Sequence, residues 1–344
     1  MDALKSGLRP RPFEISDNAH REIFDRVSSF YRACKAAQVG QPDVYQPGGE
    51  WKAYLVERQE FYDGLSKLST AAEWELRNFW RGKLGPIVKE YATFEQLESA
   101  DETRTKHFCK NVFRNYRTWY SLLGQSVEVL RVPNVGNPWG LYVDQELVVP
   151  KATRFHTLAT QCIAAVSRIS RPTILELGAG YGGMAYYLLR DLDDCCYIDL
   201  DLPETLAIAA YYLLVTHSER SIFLYGEQDL SKFDSSEFDI ALLPNFVMPN
   251  LPSMSADYAV NTFSLSEVGR EPLKEYLDQI ARICRGKFYH NNMDKRGVVN
   301  RGYERVPASE YPMDWSRFRR LHIGFDIFHG HEGDYREYLL ERVL

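Results

Sequence analysis

The sequence predicts an α/β protein of the Rossmann-like kind, a doubly wound parallel sheet preceded by a mainly helical N-terminal domain. Three observations carry this prediction. The apolar run Thr173 to Leu177 stops abruptly in Gly178-Ala-Gly-Tyr-Gly-Gly183 and leads into the helical pattern Met184 to Arg190. Only glycine allows a turn this sharp and a close approach to a ligand, and the helix behind it points unpaired N–H groups back into the turn. A second apolar run, Cys195 to Asp201, ends in carboxylates about twenty residues past the glycines, where a ribose would lie. Apolar runs and helical patterns then alternate, as such a sheet requires.

In chain order, Ile23, Val27, Phe30, Tyr31 and Cys34 fall on one face of an amphipathic helix, which Gln41-Pro-Asp-Val-Tyr-Gln-Pro-Gly-Gly49 breaks. Helical patterns resume over 51–68, 71–91 and 104–123, with Gly85-Pro86 punctuating the second. This half is rich in aromatic residues, which serve either as an ordinary core or as a sugar-facing surface. Leu141 to Val149 alternates like a hairpin, and the boundary between the helical domain (1–145) and the Rossmann-like domain (146–344) is placed there. A helix over 153–169 precedes the first strand. The runs Ile222 to Tyr225, Ile240 to Leu243 and Asp257 to Val260 are one more than the two strands expected in that region. A helix over 271–284 and a strand over 287–290 follow. Leu321 to Phe328 and Tyr335 to Arg342 flank Gly330-His-Glu-Gly333 as a closing hairpin.

At 344 residues the chain is long enough for two domains, and its 45% hydrophobic and 26% charged residues are ordinary for a globular protein. A net charge of −6 argues against nucleic acid or an anionic membrane as partner, since both need a basic surface. No run of eighteen uncharged apolar residues occurs, and the first ten residues carry no apolar stretch of signal-peptide length, so a cytoplasmic location is expected. The cysteines, at 34, 109, 162, 195, 196 and 284, show no C-x-x-C pairing and read as packed thiols.

Gly178, Gly180 and Gly183 formally satisfy the dinucleotide pattern G-x-G-x-x-G, which by itself is weakly specific. Glu176 shifts the reading. A carboxylate two positions before the turn would repel a pyrophosphate, whereas S-adenosylmethionine carries an ammonium and a sulfonium and no phosphate. S-adenosylmethionine is therefore the expected cofactor, with a nicotinamide dinucleotide as the alternative.

The blocks Gly136-Asn-Pro-Trp-Gly140, Arg154, Tyr197-Ile-Asp-Leu-Asp-Leu-Pro-Glu-Thr-Leu206, Tyr211-Tyr-Leu213 and Asn261-Thr-Phe-Ser-Leu-Ser-Glu-Val268 resemble, in this order, the sugar O-methyltransferase family. The likeness runs from near residue 130 to the C-terminus. It implies a Rossmann-like class I methyltransferase that moves a methyl group to a hydroxyl of a sugar, either nucleotide-linked or at the end of a glycan or polysaccharide. The Asp-Leu-Pro tripeptide also resembles the ribose-binding turn of small-molecule O-methyltransferases, which favours Asp201 over Asp199 as the ribose ligand.

Ligands of open α/β sheets sit beyond the carboxyl ends of the strands, so polar residues directly after apolar runs are the candidates. Cofactor contacts are assigned to Glu176, Gly178, Gly180, Tyr181, Asp201, Leu202, Asn245 and Asn261. Acceptor contacts are assigned to Trp139, Arg154, Ser264, Asn291 and Asn292. Arg154 meets either an anionic acceptor or a protein carboxylate. Glu267, expected near a helix start, and His290 are the two candidates for a general base, and the sequence does not choose between them. His329-Gly-His331-Glu332-Gly-Asp334 has metal-friendly residue types, but a glycine-rich hairpin tip needs no ligand to explain it, and no metal site is assigned. Two rival functions remain open: a nicotinamide-dependent oxidoreductase, and a non-catalytic module assembled with a glycan-biosynthesis partner. Self-association is compatible with either.

Overall fold

The computed structural model describes residues 2–88, 92–299, 303–329 and 334–343. The first part is helical: α1 (Asp2–Gly7), α2 (Asp17–Gln38), α3 (Gly49–Glu57), α4 (Gln59–Ser66), α5 (Thr70–Arg77), α6 (Phe94–Glu98) and α7 (Glu102–Leu123). Polar residues at the N-caps start the long helices, since Ser16 Oγ accepts from Ala19 N–H and Asp101 Oδ1 from Arg104 N–H. The single helix expected over 51–68 is two, divided at Arg58, whose guanidinium is drawn to Lys83 O and over the Tyr54 ring. The one expected over 71–91 stops at Arg77 and gives way to a short 3₁₀ turn at Gly85–Ile87, while residues 89–91 lie outside the described residues. The hairpin β1 (Leu141–Val143) and β2 (Glu146–Val148) turns through Asp144 and Gln145, both with positive φ, at the residue chosen as the domain boundary.

Beyond the hairpin lie α8 (Ala152–Val166), β3 (Thr173–Leu177), α9 (Gly183–Asp191), β4 (Cys196–Asp201), α10 (Pro203–Thr216), β5 (Ile222–Leu224), β6 (Ile240–Pro244), β7 (Ala256–Thr262), α11 (Arg270–Ile283) and β8 (Cys284–Met293). The small pair β9 (Gly297–Val299) and β10 (Tyr303–Arg305) and the long pair β11 (Phe318–Phe325) and β12 (Tyr335–Arg342) complete the chain. The tip joining β11 and β12 at 330–333, and with it most of the metal-friendly cluster, lies outside the described residues.

Eight strands form one sheet in the order β5-β6-β4-β3-β7-β8-β12-β11. All run parallel except β12, which is antiparallel to both its neighbours. A first strand in the middle, crossovers to both sides and a reversed strand, β12, inserted between β8 and β11 define the Rossmann-like fold of class I methyltransferases. One strand is added. All three apolar runs between 222 and 262 are strands, with β5 at the edge and β6 between it and β4.

Both faces of the sheet are covered at β3, β4, β6 and β7, so these strands read as continuous apolar runs rather than as alternation, whereas the edge strand β11 is largely exposed. Ile174, Tyr197, Ile240 and Tyr258 face α8 to α10 and the N-terminal helices, in one hydrophobic cluster that draws residues from both sides of the β1–β2 hairpin. Leu175, Ile198, Ala241 and Ala259 face α11, whose Leu273, Leu277 and Ile280 are buried at about 1.5–3 kcal/mol per side chain. The helical part is pinned to the sheet by polar contacts too, including Arg26 to Glu227 and Lys35 to Glu204. The six cysteines are unpaired thiols. Among the described residues no helix is long and apolar enough to cross a membrane.

Candidate functional site

Parallel register brings the carboxyl ends of the central strands together: Glu176 lies beside Asp199, Leu177 beside Asn261, and Asp201 beside Pro244. At the end of β3 the chain turns through Gly178 (φ +79) and Gly180 (φ +68). A Cβ at Gly178 would run into the Ser264 side chain, whereas at Gly180 no atom lies within 4 Å, so its backbone faces open space. Asp201 braces this turn from β4. Its Oδ2 accepts from Gly180 N–H at 3.2 Å and its Oδ1 from Leu202 N–H at 2.7 Å.

These groups border a narrow cleft that is open to solvent. Leu177, Gly178, Leu200, Asp201 and Leu202 form its floor, and Asn245, Ser264 and Tyr276 one side. Gln46, Pro47, Gly48 and Trp51, between α2 and the middle of α3, also line it. Asn245 donates to Tyr45 O at 3.1 Å and meets the Tyr276 hydroxyl at 2.8 Å, which leaves its buried Oδ1 with no hydrogen-bond partner. A buried acceptor without a donor costs about 1–3 kcal/mol unless something supplies one.

Behind the turn lies an acidic cluster. Burial raises the Glu176 carboxyl to about 7 even though the Tyr197 hydroxyl donates to it at 2.6 Å. Burial also lifts Asp201 to about 7, against the pull of its two N–H partners. Asp199 is fully buried, and neither of its oxygens has a partner of good geometry, the nearby Ala179 N–H easing its charge only in part. Burial and then its carboxylate neighbours hold Asp199 in the protonated form well above the usual range.

Other residues singled out from the sequence stand elsewhere. Asn261 and Asn292 brace the strand ends: Asn261 donates to Leu177 O and Ser264 Oγ and accepts from Asn292, which in turn accepts from Ser266 N–H. Trp139 is a core residue whose indole donates to Trp80 O, and Tyr181 packs among Phe79, Trp80 and Tyr212, so neither presents a face to the cleft. Arg154 is 3% exposed and holds Asp326 and His329 rather than an anion from outside, while Asn291 donates to the same Asp326 at 3.0 Å.

The two candidate bases separate clearly. Glu267 ends the 3₁₀ turn Ser264–Glu267 and lies outside α11, which starts at Arg270 behind Gly269. Its Oε2 accepts from the indole N–H of Trp51, a residue lining the cleft, at 2.8 Å. His290 is 1% exposed and stacked between Tyr338 and Tyr311, and burial lowers it to about 3. Side chains alternate along a strand, so His290 points with its cross-strand partner Tyr338 into the layer between the sheet and α11. It is a core histidine.

Sequence reasoning missed the wall at Gln46–Trp51 and the Tyr276 hydroxyl. The available signal was a proline- and glycine-punctuated loop with a tryptophan at its exit, the kind of segment that carries binding residues on a rigid scaffold.

No protein-family profile matches the chain, and no curated protein matches it. Solved structures do. The PH0226 protein of Pyrococcus horikoshii OT3 is similar at 13% identity over 56% of this chain and 90% of its own, with a TM-score of 0.40. The N-methyltransferase NodS of Bradyrhizobium japonicum WM9, solved with S-adenosyl-L-homocysteine, is 11% identical over 57% of this chain and 89% of its own, with a TM-score of 0.38. Magnesium protoporphyrin IX methyltransferase (ChlM) of Synechocystis PCC 6803, also with bound S-adenosyl-homocysteine, is 11% identical over 69% of this chain and 97% of its own, with a TM-score of 0.38. What these proteins bind and methylate is theirs.

Proposed function

We propose that the chain is a cytoplasmic S-adenosylmethionine-dependent O-methyltransferase acting on a hydroxyl of a sugar or glycan. The observation that carries the cofactor reading is the pairing of Asp201 with the open Gly180 turn. Asp201 would take the ribose hydroxyls, Gly178 to Gly180 would offer backbone that a side chain would otherwise cover, and Leu202 and Asn245 would border the base, with the orphaned Asn245 Oδ1 in reach of a donor. The buried Glu176 and Asp201, once ionised above about pH 7, make the turn a negative site, which favours a cationic ligand and disfavours a pyrophosphate. When bound, the cofactor supplies a methyl carbon already activated by its sulfonium.

The chain's own residues then align and deprotonate. Glu267, next to Ser264 and Leu265 of the cleft, would accept the proton of the acceptor hydroxyl, a role that contributes about 10²–10⁴ in rate. Trp51 fixes one of its oxygens, and the loop from Gln46 to Trp51 closes that side against water. In this reading the helical part up to about residue 145 is the cap of the site. The sugar acceptor rests on the motif resemblance in residues 136–268. Calorimetry with S-adenosylhomocysteine and NAD tests the cofactor: tight binding of the first and weak binding of the second is expected. Tighter binding of NAD overturns the reading.

A further inference from the structure

We infer that Phe263, His329 and Tyr335 form the wall on which the acceptor stacks, and that the acceptor ring is an uncharged pyranose with a hydroxyl turned toward Glu267. This rests on the methyltransferase reading above and specifies its second substrate. Phe263 directly follows β7 and sits at φ +66, a conformation a bulky side chain adopts only when its surroundings enforce it, and such strain gathers at functional sites. Two bonds enforce it here: Phe263 N–H donates to Asn291 O at 2.8 Å, and the Ser266 hydroxyl donates to Phe263 O at 2.6 Å. The result is a ring held at the carboxyl end of the sheet, four residues before Glu267.

Two further rings meet it. The Phe263 centroid is 5.0 Å from Tyr335 and 5.4 Å from His329, and the latter two are 4.2 Å apart. Unlike the core aromatics, all three are partly exposed, His329 to 39%. Aromatic faces carry negative charge density and suit the polarised C–H groups of a pyranose face.

Behind the wall, Arg154 lies 4.8 Å above the Phe263 ring and donates to His329 Nδ1 at 2.6 Å. A guanidinium only donates, so in this contact His329 Nδ1 accepts, and the contact fixes the plane of the imidazole. Asp326 accepts from Asn291 and from the N–H groups of Phe328 and His329, which locks the buttress. Among the described residues, the charges acting on Tyr335 are Arg154 and Arg305 against Asp326 and Glu267. Arg305 is itself turned to Ser266 O and Met293 Sδ. A carboxylated or phosphorylated ring would meet the like charge of Glu267, and the described cations Arg154 and Arg305 are each matched by a carboxylate.

Saturation-transfer NMR on the full chain loaded with S-adenosylhomocysteine tests this, with methyl glucopyranoside, galactopyranoside and mannopyranoside as neutral probes and methyl glucopyranosiduronate as the charged one. Saturation of ring C–H protons is expected for at least one neutral glycoside. Phe263→Leu and Tyr335→Leu, which keep apolar bulk without a ring, should each weaken that binding about 2- to 12-fold, the value of one aromatic contact. S-adenosylhomocysteine affinity should stay at the parent level, which also certifies that the variants fold. Saturation unchanged in both variants, absent for every neutral glycoside, or stronger for the uronate overturns the inference while leaving the methyltransferase reading intact. Failure of the parent protein to bind S-adenosylhomocysteine overturns both.

Discussion

Asp199 and Asp201 lie two residues apart on one face of β4, and replacing each in turn by asparagine separates a ligand-holding carboxylate from a merely buried one. Asp201 accepts from Gly180 and Leu202 N–H groups and borders the cleft, so in the proposed complex its remaining lone pairs would accept from the ribose hydroxyls. In Asp201→Asn the carbonyl oxygen can satisfy the shorter Leu202 contact, but the amide then opposes the Gly180 N–H, and the acceptor for the ribose is lost. Loss of one hydrogen bond to a charged group costs about 1.5–3 kcal/mol, or roughly 10- to 150-fold in Kd. Asp199 is buried, has no well-formed partner and is held in its protonated form, of which asparagine is a near isostere. Asp199→Asn should therefore leave S-adenosylhomocysteine affinity within about twofold, because no ligand contact is removed. Titration calorimetry of both variants at pH 7.5 reads the difference. Equal losses, or a larger loss at Asp199, would refute the assignment of Asp201 and the account of the acidic cluster with it.

Glu267→Gln keeps the Trp51 contact and removes the proton acceptor, so methyl transfer should fall by about 10² or more with cofactor affinity unchanged, while Trp51→Phe, which only releases the carboxylate, should cost less. Near-normal turnover in the Gln variant would leave alignment alone as the source of catalysis. Glu176 and Asp201 titrate near 7, so S-adenosylmethionine affinity should rise between pH 6 and 8 as they ionise, by at most about tenfold per proton per unit. The same shifts act oppositely on the ligand-free fold: a carboxyl raised above its unfolded value stabilises the folded state below about pH 4, and that contribution is lost as pH rises through 7. A flat affinity profile from pH 5.5 to 8.5 would contradict the pKa placement. For His290 the folded pKa of about 3 lies below the unfolded 6.5, so the unfolded chain binds the extra proton between those values and acidification destabilises. His290→Ala should lose about 3 kcal/mol in urea unfolding, as a large-to-small core change does, with a shallower acid slope and parental S-adenosylhomocysteine affinity; loss of activity without loss of stability would return it to the site.

The sequence by itself determined the fold and the cofactor turn, because both are local. A strand ending in Gly178-Ala-Gly-Tyr-Gly-Gly183 before a helix, and a second strand ending in Asp201, are encoded by glycine's backbone freedom and by apolar periodicity over a few residues, and β3, α9 and β4 fall where that pattern puts them. Tertiary structure decided the rest. Whether a strand-end residue faces the cleft depends on register and on which face is covered, and a shift of one position separates the core residue His290 from Asn291. Arg154 looked like an anion ligand until Asp326, 172 positions later, was brought against it. The wall at Gln46–Trp51 and the Trp51 bond to Glu267 join residues more than two hundred positions apart, and no local pattern encodes such a contact. Only packing of the helical part onto the sheet brings them within hydrogen-bond range.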